Sequence, residues 1–374
     1  MRKTIITIII TALFVLLAPA AYAEQSDDFS QIVGEINDEL ERSADPDVTE
    51  FLEEENISVG NSSSITDISI KSVLSAIAVF FSDSLKKPAV MLGKILAVSI
   101  VCAAIRGMSA QSGNLDKVYN VMCILSAIII MTDTISESFQ TLNSGIESMN
   151  RFMISYIPIY VSVLTAGGSP AGAGCYGGAT LFLCEAMAVV TSQILIPFLS
   201  VVLAVTLVSA VNPQLKFAGI ADSVKRLTTW GLSTVMTLFM GLLSIQGATG
   251  AAADNLAVRT LRFTAASFIP VIGNSISEAL SAVRGSMGVI KASVGSIGII
   301  IVFITAVKPI ITIMAIKITI WIGRIANDLL GQRETAEFLK STNSVLSIGL
   351  SILIAFAVAF VIATSVIMKT AAGG

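Results

Sequence analysis

From residue 88 to the C-terminus the chain alternates long apolar runs with short polar interruptions. The runs are 88–106, 118–138, 152–167, 174–193, 194–211, 229–247, 263–280, 286–307, 309–326 and 344–368. A membrane helix needs about 20 apolar residues, with about 17 as the lower limit, so most of these runs reach spanning length. Several are short or interrupted by glycine or proline, 152–167 and 263–280 above all, which predicts tilted, broken or re-entrant segments among them. The pattern therefore predicts an all-α polytopic membrane protein with nine or ten transmembrane or re-entrant helices in a membrane domain spanning 88–374.

The residues ahead of that domain read differently. Arg2 and Lys3 precede an apolar stretch from Ile5 to Leu17, Pro19 breaks it, and Ala21-Tyr22-Ala23 offers a small-x-small cleavage site. This is the layout of a secretory signal peptide over 1–23, with an uncleaved first helix as the alternative. In either case Glu24 onward is expected outside the cytoplasmic face. Phe29, Ile32, Val33, Ile36 and Leu40 recur at helical spacing, Pro46 ends that pattern, and Val48, Phe51 and Leu52 mark a second amphipathic turn. The arm is read as one or two short helices, or equally as a solvated segment with little fixed structure. Ile68 to Leu85 is amphipathic and ends at Lys86-Lys87-Pro88, as expected of a helix lying along the interface, so the extracytoplasmic part is taken as 24–87.

An internal echo runs through the membrane domain at an offset of 112 residues. Ser155-Tyr156-Ile157-Pro158 parallels Ser267-Phe268-Ile269-Pro270, Pro197 falls on Pro309, and Gly219 on Gly331. Basic loop 212–228 falls on the loop carrying Arg324, Arg333 and Lys340. The spacing suggests a unit duplicated over 118–228 and 230–340, against chance matching in an apolar sequence of low diversity. If every candidate crosses the bilayer, the copies are parallel repeats and both basic loops face the cytoplasm, as the positive-inside bias requires. If 263–280 is re-entrant, the second half flips and Lys369 turns inward.

Composition narrows the function classes. Hydrophobic residues make up 54% of the 374 and charged residues only 13%, which removes a normal solvated surface and with it a soluble enzyme. The net charge of −3 conceals a division: residues 24–67 hold 14 of the 26 acids and one base, Arg42, whereas 68–374 hold 20 bases and 12 acids. An acidic arm thus precedes a basic bundle, which bears on partners. The chain has no histidine, and Cys102, Cys123, Cys175 and Cys184 form no CxxC pair and read as small packing residues. No catalytic motif, nucleotide fingerprint or metal set is present, so neither enzyme nor cofactor is expected, and basic residues without interleaved aromatics give no sign of nucleic-acid binding. Gly167 to Gly174 is glycine-rich but lacks a following Lys-Ser/Thr, and reads as a turn between helices rather than a phosphate cradle.

The candidate functional residues are polar groups and helix breakers at membrane depth. Glu185 lies near the middle of 174–193, Lys317 midway along 309–326, and Lys94 in the first turns of its run. A charge in hydrocarbon costs about 2.5–3.5 kcal/mol on insertion scales, so such groups face protein or water. Glu185 is expected to line a polar path or to pair with a base such as Lys317; snorkelling is the alternative for the lysines. Pro158, Pro197, Pro270 and Pro309, with Gly273 just beyond the third, are candidate helix breaks, which flank transport sites in some membrane folds and are simple bends or ends in others. Lys216, Lys225 and Arg226 in loop 212–228 are candidate cytoplasmic docking residues. Gly295 and Gly298, three apart on one helix, permit close helix contact within the chain or between copies.

Asn212-Pro213 through Lys225-Arg226-Leu227, then Gly241-Leu242-Leu243-Ser244-Ile245-Gln246-Gly247, then Arg259-Thr260 leading to Phe268-Ile269-Pro270-Val271-Ile272-Gly273, resemble the stage III sporulation protein AE family of endospore-forming Firmicutes. The signal peptide, acidic arm and multi-span body agree with it in order and length, and Ser244 to Gly298 is the most specific part. The resemblance implies a place in the mother-cell membrane around the forespore, within an apparatus that joins the two cells and includes an ATPase, other membrane proteins and ring-forming proteins akin to secretion-system parts. The family has no established catalytic residues to transfer. Two roles follow: a channel or transporter-like subunit, self-associating because one bundle of this size would hold only a narrow pore, or a non-conducting scaffold that docks the ring-forming and ATPase subunits.

Overall fold

The computed structural model describes residues 27–54, 57–59, 70–108, 113–211, 218–268 and 273–372. Those residues are helical almost throughout, with no strand among them. In chain order the helices are α1 (Asp27–Ser43), α2 (Pro46–Glu54), α3 (Ile70–Met108), α4 (Gly113–Ala166), α5 (Pro170–Val190), α6 (Ile196–Val211), α7 (Ala218–Phe268), α8 (Gly273–Leu329) and α9 (Arg333–Ala372). A single π-helical turn, Thr191–Leu195, joins α5 to α6.

Among the described residues six segments are long and apolar enough to cross a membrane: Phe80–Arg106, Val118–Ala166, Pro170–Val211, Ser223–Asp254, Met287–Leu329 and Arg333–Val366. This is fewer than the nine or ten that the run lengths predict, because pairs of runs fall on one rod. Runs 118–138 and 152–167 are the two ends of α4, 174–193 and 194–211 continue through the π turn, and 286–307 and 309–326 are both α8. Segments of 43 and 49 residues measure about 65 and about 74 Å at 1.5 Å per residue, over twice the hydrocarbon thickness of about 30 Å. A straight helix of that length crosses once and continues beyond the bilayer. Run 263–280 divides between the end of α7 and the start of α8, and Pro270 between them lies outside the described residues, as does the signal-like segment 1–23.

The prolines explain why the runs fuse. Pro158 and Pro309 sit inside continuous helices, as bilayer-spanning helices tolerate when neighbours satisfy the freed backbone groups. Pro309 is a packing knob rather than a break. A Cβ on Gly145 of α4 would lie 2.9 Å from Pro309 Cγ, so the ring fills the notch that this glycine leaves. Pro197 does perturb its helix. Having no N–H and a ring that crowds the preceding turn, it follows directly on the π turn, where Ile196 N–H reaches Thr191 O. The residues paired at offset 112 thus differ locally: Pro197 follows a widened turn and Pro309 lies in regular helix. Likewise Gly219 is helical, whereas Gly331 is in a turn with φ 74°.

Side-chain pairings fix an up-and-down bundle. Tyr156 and Tyr160 of α4 donate to the carbonyls of Val294 and Lys291, so α4 and α8 are antiparallel. Ser84 meets Thr312 and Ser99 meets Asn327, so α3 and α8 are parallel. Lys317 meets Ser347 while a Cβ on Gly295 would strike Met368, so α8 and α9 form a hairpin. Two short turns close at opposite ends with the same cap: Gly168 (φ 75°) and Gly331 (φ 74°) take the left-handed conformation, and the next residue's N–H bonds back to Leu164 O and Asn327 O. The arm helices are docked on the bundle, α1 against α4 and α2 against α8, with Val33, Leu40, Val48 and Leu52 buried in the common core.

Candidate functional site

α4 carries the feature that a lipid-facing helix cannot hide. Its ends, 118–131 and 152–166, are apolar; the twenty residues between, 132–151, are not. Helical periodicity sorts that middle into two faces. Ile135, Ser138, Leu142, Gly145, Ile146 and Met149 are buried, whereas Asp133, Ser136, Glu137, Gln140, Asn143, Ser144, Glu147 and Arg151 are exposed. The same exposed stripe is apolar before and after, with Ile129 73% and Ile154 42% exposed. The apolar ends hold only 14 and 15 residues, below the roughly 17 that can cross, so any crossing by α4 takes in part of the polar stripe.

Part of the stripe lines an open groove of about 480 Å³ against α6. Ser136, Gln140, Asn143, Ser144 and Glu147 supply its polar side, Ser200 of α6 another hydroxyl, and Phe139 and Leu203 its apolar part. Glu137, next to Ser136 on the stripe, pairs with Lys87 of α3 at 2.8 Å, both exposed. Among the described residues Glu147 has no ion-pair partner.

The predicted site residues distribute unevenly around this stripe. Glu185 of α5 is exposed and joins it: Asn150 Nδ2 of α4 donates to Glu185 Oε2 at 3.0 Å, while Asn150 Oδ1 is buried with no partner. The alternative of a Glu185–Lys317 pair is not what the structure holds. Lys317 is 8% exposed between α8 and α9, where its ammonium donates to Ser347 Oγ at 2.6 Å. Pro158 and Pro197 are exposed, Pro309 is buried against Gly145, and Gly273 opens α8. Lys94 is exposed on α3. Lys225 and Arg226 lie in the early turns of α7, half-buried and exposed respectively, and Lys216 falls outside the described residues. Gly295 and Gly298 serve contacts within the chain, since a Cβ on Gly298 would lie 2.5 Å from the Tyr156 ring.

Two further charged residues act together at the glycine-rich turn. Lys291 of α8 is 5% exposed, and its Nζ donates to Gly167 O at 3.0 Å and Ser169 Oγ at 3.1 Å. Asp254 of α7 accepts from Ala171 N and Gly172 N at 3.0 and 2.8 Å. A cation thus meets the C-terminal end of α4 and a carboxylate meets the N-terminal end of α5, each opposite in sign to the helix end it caps. The space is made by glycine: a Cβ at Gly167 would collide with the Lys291 side chain, and one at Gly172 would lie 2.7 Å from Asp254 Oδ2. The turn is shorter than the glycine-rich stretch, Gly167 to Ser169, because Pro170 to Gly174 already belong to α5, and it is fastened from two other helices.

The sequence model of the stage III sporulation protein AE family matches residues 53–371, from the end of α2 through α9. The chain belongs to that family. Stage III sporulation protein AE of Bacillus subtilis (strain 168) is 24% identical over 228 residues, which is 60% of this chain and 57% of that relative. The chain thus spans less than two thirds of the relative's length in that match. No solved structure matches. Membership supports a role in sporulation, and the six apolar helices are those of a multi-pass membrane protein.

Proposed function

We propose that this stage III sporulation protein AE family member is a channel or transporter-like membrane subunit of the apparatus linking mother cell and forespore. The observation that carries this reading is the outward polar stripe of α4, on a helix whose apolar ends cannot cross the bilayer without taking in part of it. Exposed carboxylates and amides facing lipid are too costly to keep, so the stripe faces water or protein. The chain acts in the mother-cell membrane around the forespore, with other membrane, ring-forming and ATPase subunits and with further copies of itself. The acidic arm lies outside the cytoplasm, the signal peptide having delivered it there. Neither catalysis nor a cofactor is part of this role. Full-length protein reconstituted in liposomes is expected to release a small trapped dye; liposomes as tight as protein-free controls would contradict conduction.

A scaffold reading is favoured by one different observation, the charge of the arm. Its acids ride on α1 and α2, which are seated on the bundle and present Glu35, Asp38, Glu39 and Glu50 outward. Such a surface suits a basic extracytoplasmic partner, and Lys225 and Arg226 suit an acidic one on the other side. Deleting 24–67 is expected to abolish recovery of partner subunits in pull-downs while the bundle still inserts; unchanged recovery defeats that reading.

A further inference from the structure

Conduction leaves open what the path admits. We infer that the groove between α4 and α6 is a cation-accepting site, with Glu147 as the residue that sets its preference. The inference deepens the conduit reading and rests on it for the idea of passage, though not for its electrostatics.

Three observations converge on the groove. Its polar side offers carboxylate, amide and hydroxyl oxygens together: Glu147, Gln140, Asn143, Ser144 and Ser200. Such a set suits a hydrated inorganic cation or a small ammonium, since hard oxygen acceptors replace hydration water. Secondly, Glu147 has no ion-pair partner among the described residues, whereas Glu137 nearby is matched by Lys87. Thirdly, the charges along and beside the stripe are Asp133, Glu137, Glu147 and Glu185 against Lys87, Arg151 and Lys308, the neighbour of Pro309, an excess of one acid. A carboxylate in a cleft with low-dielectric walls concentrates counter-ions of the opposite sign, and Phe139 and Leu203 supply apolar lining. The volume of about 480 Å³ admits an ion with several of its waters.

Lys317 and the Lys291–Asp254 pair do not compete for this role. Both lysines are buried and bonded to protein oxygens, and Asp254 is occupied by two backbone N–H groups.

The test uses full-length protein in membranes, with Cys102, Cys123, Cys175 and Cys184 replaced by alanine and one cysteine introduced as Ser144→Cys. Its rates of modification by a cationic and by an anionic methanethiosulfonate of similar size are compared, each relative to its rate with a free small thiol. The cationic reagent is expected to be favoured by about tenfold, within the range of electrostatic focusing in a cleft. Adding Glu147→Gln should bring the ratio close to one, and Glu147→Asp should restore most of it. Equal rates, preference for the anionic reagent, or a ratio unmoved by Glu147→Gln would overturn the inference. A cysteine inert to both reagents would overturn it as well, because the groove would then not be open to water. Should the cationic preference hold while the liposomes stay tight to dye, the groove stands and conduction falls.

Discussion

Several single atoms decide how closely these helices approach one another. Gly298 exists in the shadow of the Tyr156 ring, and Tyr156 is fully buried with its hydroxyl aimed at Val294 O. Gly298→Ala should therefore destabilise the bundle by about 1–3 kcal/mol through overpacking, read as a lower midpoint of thermal unfolding in detergent. Gly241→Ala is the control: nothing lies within 4 Å of a Cβ there, so its effect should stay within about 0.5 kcal/mol. At the glycine-rich turn, Asp254→Ala removes the acceptor of two N–H groups and should cost about 1–3 kcal/mol. An unchanged midpoint for Asp254→Ala would mean that water serves the α5 N-terminus as well as the carboxylate does. Of these residues, Gly295 and Gly298 were legible from their spacing. Asp254 and Lys291 were not, because a cap supplied from another helix leaves no local pattern; the one available signal was an ionisable residue, Lys291, inside an apolar run.

Whole helices obey the same chemistry with different consequences. Proline ends a helix in a peptide because it has no N–H for the carbonyl four residues earlier to accept and its ring crowds that carbonyl, yet in α4 and α8 tertiary packing holds the rod together across Pro158 and Pro309. That is why run lengths overstate the number of crossings here. The all-helical class and the turn beginning at Gly167 were legible; fusion of adjacent runs was not, since it depends on contacts such as Gly145 with Pro309. Gly145→Leu should force α4 and α8 apart where Pro309 now sits. It is expected to lower the unfolding midpoint far more than Gly93→Leu, where no atom lies within 4 Å of a Cβ. The polar middle of α4 was visible as the gap between runs 118–138 and 152–167, and reads as a loop when only hydropathy is followed. Its period of about 3.6 is what makes it helix.

At the scale of the whole molecule, one helix is out of keeping with an ordinary lipid-facing surface. α8 and α9 are the most enclosed, and α3, α6 and α7 show lipid-compatible faces such as Val90, Val201 and Leu238. Among the described residues α4 turns a run of polar side chains, Asp133, Gln140, Glu147 and Arg151, outward between two apolar thirds. The most direct test is a cysteine scan from 131 to 153, one position at a time in the chain lacking its four native cysteines, labelled in intact membranes with an impermeant maleimide. Labelling should peak at 133, 136, 140, 144, 147 and 151 and vanish at 135, 138, 142, 146 and 149. No labelling anywhere between 135 and 149 would contradict a water-facing stripe, and with it the conduit.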